Sequence, residues 1–301
     1  MLLRYKNILK GLFGLGRVEK KIDSLLILTA QQQIKANINL SGITSLADVE
    51  FKVFSQWGDD GIIQYLINKL NISKKEFVEF GVENYRESNT RFLLINNNWR
   101  GLVFDASDKN INTIQEDEIY WRFDLTAASE FITTENINTL LSKNGFTGNI
   151  GLLHIDIDGN DYWIWKAITA VDPDIVIMEY NGLWGKDKAV TIPYKSDFNT
   201  ATAHFSHVYF GSSLKAQCIL AKQKGYFFAG CNSAGVNAYF INNKFKEKIP
   251  EVSIEKGFVM PTGRQTRNKE GQLDFLSSTD AAKLLKGLKV YNVESSVEEA
   301  F

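Results

Sequence analysis

Three acids fall within six positions of the stretch GLLHIDIDGNDYWIW (151–165): Asp156, Asp158 and Asp161, with His154 just ahead of them. Burying a carboxylate is costly, so a chain that places several at the end of an apolar run has a use for them. On a strand, positions 154, 156 and 158 face one way, so His154, Asp156 and Asp158 line one face toward the strand's carboxyl end. A second apolar run, DIVIMEY (174–180), leads into Asn181, and Glu179 and Asn181 likewise share a face. Carboxylate oxygens from two adjacent strand ends plus an amide oxygen suit a hard cation such as Mg²⁺. The expected ligands are Asp156, Asp158 and Glu179. Such a cation would hold two substrate oxygens and lower the pKa of a hydroxyl. Two other readings stay open: the same acids act directly on substrate or cofactor, or one acid works while Asp158 or Asn160 caps the helix DYWIWKAI. His154, deeper in the strand, reads as a satisfied core histidine.

Other strand ends carry further candidates. GLVFDAS (101–107) delivers Asp105, which either accepts hydrogen bonds from both hydroxyls of a ribose or caps the next helix. Asp124, in YWRFDLT, either faces an adenine amino group or caps a helix starting near Ala127. In VEFGVENYRESNT, Gly81 is the only glycine, so the dinucleotide fingerprint G-x-G-x-x-G is absent, and no P-loop pattern occurs. His204 and His207 in ATAHFSHVYFG are of the type that takes a proton near neutral pH. His207 is the favoured base, with Asp158 its competitor. The stretch 181–205 has the length of a lid, in which Trp184 and Tyr194 either stack on a sugar ring or pack the loop down. Arg264 and Arg267 either clamp an anion or belong to a solvated loop.

These side chains need a scaffold. Short β-rich runs at 76–80, 101–107, 151–158 and 174–180 alternate with helical intervals such as 88–97 and 128–143. That order predicts a parallel sheet with helices on both faces. A helix over 212–225, then YFFAG, a turn at CNSAG and VNAYFIN predict an antiparallel hairpin at the end. The expected fold is α/β and Rossmann-like: a mostly parallel seven-stranded sheet with a C-terminal antiparallel hairpin, as in class I methyltransferase domains. The expected divisions are an N-terminal helical segment (1–45), the α/β domain (46–245) and a C-terminal extension (246–301). The final VESSVEEAF reads as an acidic tail of no evident chemistry.

The 301-residue chain is 44% hydrophobic with a net charge of -1, which suits a large core and offers no global field for nucleic acid. Cys218 and Cys231 read as small apolar residues in a reducing, cytoplasmic compartment. Basic residues interrupt MLLRYKNILKGLFGLGRVEKK too often for a signal or a span. Leu2, Leu9, Leu12 and Phe13 share a helical face, which either meets the inner face of a membrane or docks on the body or a second subunit.

Taken in order, FSQWGDDGIIQYLI (54–67), FVEFGVENYRESNTRFLLINNNWRGLVFDAS (77–107), LLHIDIDGNDYWIWKAI (152–168), PDIVIMEYN (173–181) and YFGSSLKAQCILAKQKGYFFAGCNSAGVNAYFI (209–241) carry a resemblance. Over residues 50–245 the chain is similar to the FkbM-like group of S-adenosylmethionine-dependent methyltransferases, many of which decorate sugars. The resemblance implies S-adenosylmethionine as cofactor and a glycan or small-molecule hydroxyl as acceptor. It implies that Glu79 and Gly81 frame the methionine part, that Asp105 holds the ribose, and that Ser88, Asn89 or Gln56 add polar contacts. By analogy with metal-dependent O-methyltransferases, the acids of the opening stretch would serve a cation. Glu83-Asn84-Tyr85 departs from the pattern, where relatives tend to have an acid and a glycine. That departure keeps a second reading open, a binding or scaffold protein that has kept the fold without catalysis; a different Rossmann-type enzyme is a third.

Overall fold

The computed structural model describes residues 15–263 and 265–301. The expected face of Leu2, Leu9, Leu12 and Phe13, and Arg264 of the arginine pair, lie outside these residues. The described chain opens with α1 (Leu15–Ile38), whose inner residues Ile27, Ala30 and Ile34 pack against Phe51, Phe54 and Phe92. There follow α2 (Asp59–Leu70), β1 (Glu76–Phe80), α3 (Arg91–Asn97), β2 (Arg100–Asp105), α4 (Asp108–Glu116), α5 (Glu118–Arg122), β3 (Leu125–Ser129) and α6 (Ile137–Lys143). Then come β4 (Gly148–Ile155), α7 (Asp161–Ala167), β5 (Val171–Glu179), β6 (Val190–Thr191), α8 (Leu214–Gln223), β7 (Tyr226–Cys231), β8 (Asn237–Asn242), β9 (Lys289–Asn292) and β10 (Val297–Ala300).

Seven strands form one sheet in the order β3-β2-β1-β4-β5-β8-β7. Strands β1 to β5 run parallel, and β8 alone runs against its neighbours β5 and β7. This is the Rossmann-like methyltransferase fold. Successive side chains explain it: Val78, Leu153 and Val176 join the core on one face of the sheet, while Phe77, Leu152 and Ile175 join the core on the other. Strands buried on both faces read as continuous apolar runs, which is why 76–80, 151–158 and 174–180 were legible. The strand order reverses between β1 and β4, so a crevice opens beyond their carboxyl ends.

Two expectations need correction here. The chain around Asp124 continues as strand, not helix: β3 lies at Leu125–Ser129, paired with β2 through Gly101↔Leu125 to Asp105↔Ser129, and the helix expected over 128–143 is only Ile137–Lys143. LTAAS has little strand propensity of its own, and pairing along the β2 edge decides its state. Asp124 therefore precedes its strand at the amino end of the sheet, with its side chain 74% exposed beside Arg100. The acidic VESSVEEAF is likewise structured. Its Val297–Ala300 forms β10, which pairs with β9, and β9 pairs with β6, making a second, antiparallel sheet.

Candidate active site

A cleft of about 750 Å³ opens beyond the carboxyl ends of β1, β2, β4 and β5. Gly81, Asp105, Asp156, Asp158 and Glu179 line it from the sheet, and Gln56 and Trp57 from the loop before α2. Phe198, His207 and residues between Pro261 and Ala281 line it from the opposite side.

The β4 acids divide their labour. Asp161, fully buried, accepts hydrogen bonds from the Ile157 and Gly159 amides at 2.8 and 2.9 Å and so closes the turn after the strand. Burial pushes its carboxyl up to about 6 against those two bonds. The turn-holding role expected of Asp158 or Asn160 thus belongs to Asp161. Asp158, in the left-handed region at φ +53°, is left facing the cleft. Oxygens of Asp156, Asp158 and Glu179 lie within 4.8 Å of one another, and Glu179 Oε2 is buried with no hydrogen-bond partner. Burial, together with the charges of its neighbours, raises Glu179 well above the usual carboxylate range. Asp156 rises to about 7, mainly through burial and partly offset by His154. A site that crowds carboxylates while leaving an acceptor oxygen unpaired is chemically suited to a hard cation or a positively charged ligand.

Asn181, expected to offer its amide oxygen to the site, is engaged through both ends of its amide, with accepting capacity left on Oδ1. Its Oδ1 accepts from the Leu183 amide at 3.1 Å, and its Nδ2 donates to the Val208 and Phe210 carbonyls at 2.9 and 3.1 Å. It ties the chain at residues 208 and 210 to the end of β5. Asn160 is the freer amide: Nδ2 donates to the Lys195 carbonyl at 2.8 Å, and Oδ1, on the cleft lining, is buried without a partner.

At β1, Gly81 has φ +73°, and a Cβ there would overlap the Asp156 carbonyl oxygen. Its amide donates to the Phe104 carbonyl at 2.9 Å, so three strand ends converge on a residue that must be glycine. The departure at 83–85 is accommodated without glycine. Glu83 (φ +48°) donates its amide to Asp105 Oδ2 at 2.8 Å, and Tyr85 (φ +61°) is fully buried with its hydroxyl 2.9 Å from Thr90 Oγ1. Asp105 Oδ1 accepts from the Ser107 amide and from Asn110 Nδ2. Ser107, not Asp105, is the N-cap of α4. Three donors orient Asp105 on the cleft wall, and its second oxygen keeps accepting capacity for a hydroxyl.

Glu79 and Asn89 do not line the cleft. Glu79 is buried and accepts from Ser88 Oγ at 2.6 Å, from the amides of Asn89 and Thr90, from the Thr90 hydroxyl and from His154 Nδ1 at 2.9 Å. Asn89 lies 3.1 Å from the other imidazole nitrogen. This buried knot ties the loop after β1 to β4. His154 is the satisfied core histidine expected of it.

His207 lines the cleft at φ +58°. His204 turns instead to Ser206 Oγ at 2.6 Å, and burial lowers its pKa. Trp184 is buried with its indole N–H on the Phe210 carbonyl, and Tyr194 donates to Glu135, so both aromatics pack the lid down. Arg267 donates to the Gly271 carbonyl within its own loop.

Asp59 and Asp60 went unread in the sequence. Asp60 Oδ2 gathers the amides of Val53, Phe54 and Ser55, each at 2.8 Å, with the Ser55 hydroxyl at 2.9 Å. Asp59 accepts from Asn232, Asn237 and Tyr239 of the terminal hairpin. Together they fix the loop that presents Gln56 and Trp57. The available signal was a pair of acids directly after a glycine and at the start of an apolar-periodic helix.

No protein-family model matches the chain, and no curated protein matches it. Among solved structures, it is similar to the N-terminal domain of EvdMO1 crystallised with SAH and D-fucose (9% identity, 71% of this chain and 95% of that one, TM-score 0.41). It is also similar to a putative O-methyltransferase from Klebsiella pneumoniae (13%, 70% and 95%, 0.40). A third is an S-adenosylmethionine-dependent methyltransferase from Clostridium acetobutylicum ATCC 824 (11%, 62% and 90%, 0.39). Likenesses this loose transfer neither a substrate nor a residue's role. Among the described residues, no helix is long and apolar enough to cross a membrane.

Proposed function

We propose that the protein is an S-adenosylmethionine-dependent O-methyltransferase of the FkbM-like kind, acting on a hydroxyl of a sugar or glycan-related acceptor with a divalent cation in attendance. The observation that carries this reading is the convergence of Asp105, Asp156, Asp158 and Glu179 on one cleft at the switch point of the sheet. Asp105 has the place and the spare lone pair to accept a ribose hydroxyl. Glu83, Glu87 and Glu130 add to the acids of the lining, and no lysine or arginine lines it among the described residues. A lining of that sign favours a sulfonium cofactor and a neutral acceptor, and disfavours phosphate-rich nucleic acid.

When bound, the cofactor supplies a methyl group on a positively charged sulfur. The residues of the chain must align the acceptor oxygen with that methyl and take one proton as the carbon–oxygen bond forms and the carbon–sulfur bond breaks. Asp158 and His207, both on the lining, are the candidate bases. Asp156, Asp158 and Glu179 would hold Mg²⁺, which would supply a Lewis acid able to lower the pKa of the acceptor hydroxyl. Contact of the N-terminal helix with a membrane or a second copy is a separate proposal, independent of methyl transfer.

Calorimetric titration with S-adenosylmethionine and S-adenosylhomocysteine, with and without Mg²⁺, tests it. Saturable binding is expected. Absence of binding under every condition would make the chain a scaffold that keeps only the fold.

A further inference from the structure

Helix α1 has two apolar faces, and the protein covers one of them. Ile27, Ala30 and Ile34 meet Phe54 and Phe92, and Lys20 and Gln31 reach Glu118 and Asn96 on the body. Val18, Ile22, Leu25, Leu26 and Leu28 are 40–63% exposed. At 100° per residue, Val18, Ile22 and Leu25 fall within one narrow sector opposite Ile27 and Ile34. These three, with Leu26 and Leu28 on either flank, form a patch of the kind that marks an interaction surface.

Charge distinguishes the occupants. Arg17 and Lys21 flank this sector on one side of the helix, while Glu19 and Asp23 turn toward the covered face and Lys20 is paired with Glu118. The charge beside the exposed stripe is thus basic among the described residues. A second copy of the helix would bring like charges together along the seam. The stripe is also short for a helical pair, because Gln32 and Gln33 follow Leu28 after three residues. An anionic lipid surface meets both demands, accepting the aliphatic side chains below its headgroups and the basic residues among them.

We infer that the outer face of α1, flanked by Arg17 and Lys21, docks the protein on an anionic membrane surface. The helix packs beside the Phe51–Phe54 segment that leads to Gln56 and Trp57 on the cleft. The docking itself stands apart from the methyl-transfer reading.

The test is co-sedimentation of the full chain with phosphatidylcholine vesicles and with vesicles that also contain phosphatidylglycerol, at low and high salt. The wild type should sediment only with the anionic vesicles and be released by salt. The double variant Ile22→Glu, Leu25→Glu alters exposed side chains only, and should reduce partitioning on the order of tenfold or more. Its titration with S-adenosylhomocysteine should match that of the wild type. Three outcomes overturn the inference: no sedimentation, sedimentation with both vesicle types or unaffected by the variant, and a wild-type dimer that the variant dissociates.

Discussion

Glu79 and His154 sit directly opposite each other on β1 and β4, with imidazole Nδ1 2.9 Å from the carboxylate and both side chains buried. Burial alone would push the carboxyl up and the imidazolium down. Burial is the largest single influence on each, but their hydrogen bond and mutual charge, with Ser88 and Thr90 at Glu79 and the charges of Asp156 and Asp59 at His154, together outweigh it, so Glu79 lies below its ordinary 4.5 and His154 above its ordinary 6.5.

The pair therefore has a pH window. Glu79 contributes fully above 4.5 and loses that contribution as pH falls through its folded value, while His154 contributes fully below 6.5 and loses it as pH rises through its own. Between those two values both terms act. Glu79→Gln should cost about 3 kcal/mol of unfolding free energy there, and less on the alkaline side. Urea unfolding of the two proteins across pH checks it; an equal difference inside and above the window would exclude a charged pair.

Gly81→Ala should be among the most damaging small substitutions in the chain. It puts a methyl group into the Asp156 carbonyl and forces an L-residue to φ +73°. A loss on the order of 3 kcal/mol is expected. A melting temperature close to wild type would mean that β1 and β4 do not converge as described.

Asp161 and Asp158 should separate stability from function. Asp161→Ala leaves the Ile157 and Gly159 amides without their acceptor and should cost about 2 kcal/mol. Asp158→Ala should leave the melting temperature nearly unchanged while lowering methyl transfer. The reverse pattern in paired thermal and activity measurements would reassign the two acids.

The cation reading predicts that Mn²⁺ binds the wild type, as read by electron paramagnetic resonance, and that Glu179→Gln weakens it about tenfold or more. Exhaustive chelation should remove activity, and Mg²⁺ should restore it. Full activity after chelation would leave Asp156, Asp158 and Glu179 to act without a metal.

The sheet was legible because its central strands are apolar on both faces and bounded by turn residues, so 76–80 and 174–180 stand out by composition alone. β3 was not: LTAAS becomes a strand only because β2 offers an edge. The sequence brought Asp156, Asp158 and Glu179 together at adjacent strand ends, but β4 stops at Ile155 and Asp158 reaches the cluster through a left-handed turn residue rather than through strand alternation. Which acid would be spent on the turn was not legible, because Asp158 and Asp161 are equally able to accept amides and only the path of the backbone chooses. Asn181 shows the same limit. Its position at the end of β5 was evident, but its hydrogen bonds are made to residues 27 and 29 positions later. Long-range partners also decided the fates of Glu79 and Asp59, whose contacts join segments that spacing does not connect.

The place of β8 in the sheet carries a cost in time. β5 is flanked by β4 as soon as both have been made, but its other edge waits for residues 237–242. While the ribosome adds the intervening chain, the hydrogen-bonding groups of a strand containing Ile175, Val176 and Ile177 stand unpaired. An apolar strand with an open edge is a template for another nascent chain. Slow translation through this interval should therefore raise aggregation, and a holdase chaperone should find its substrate here before the hairpin closes.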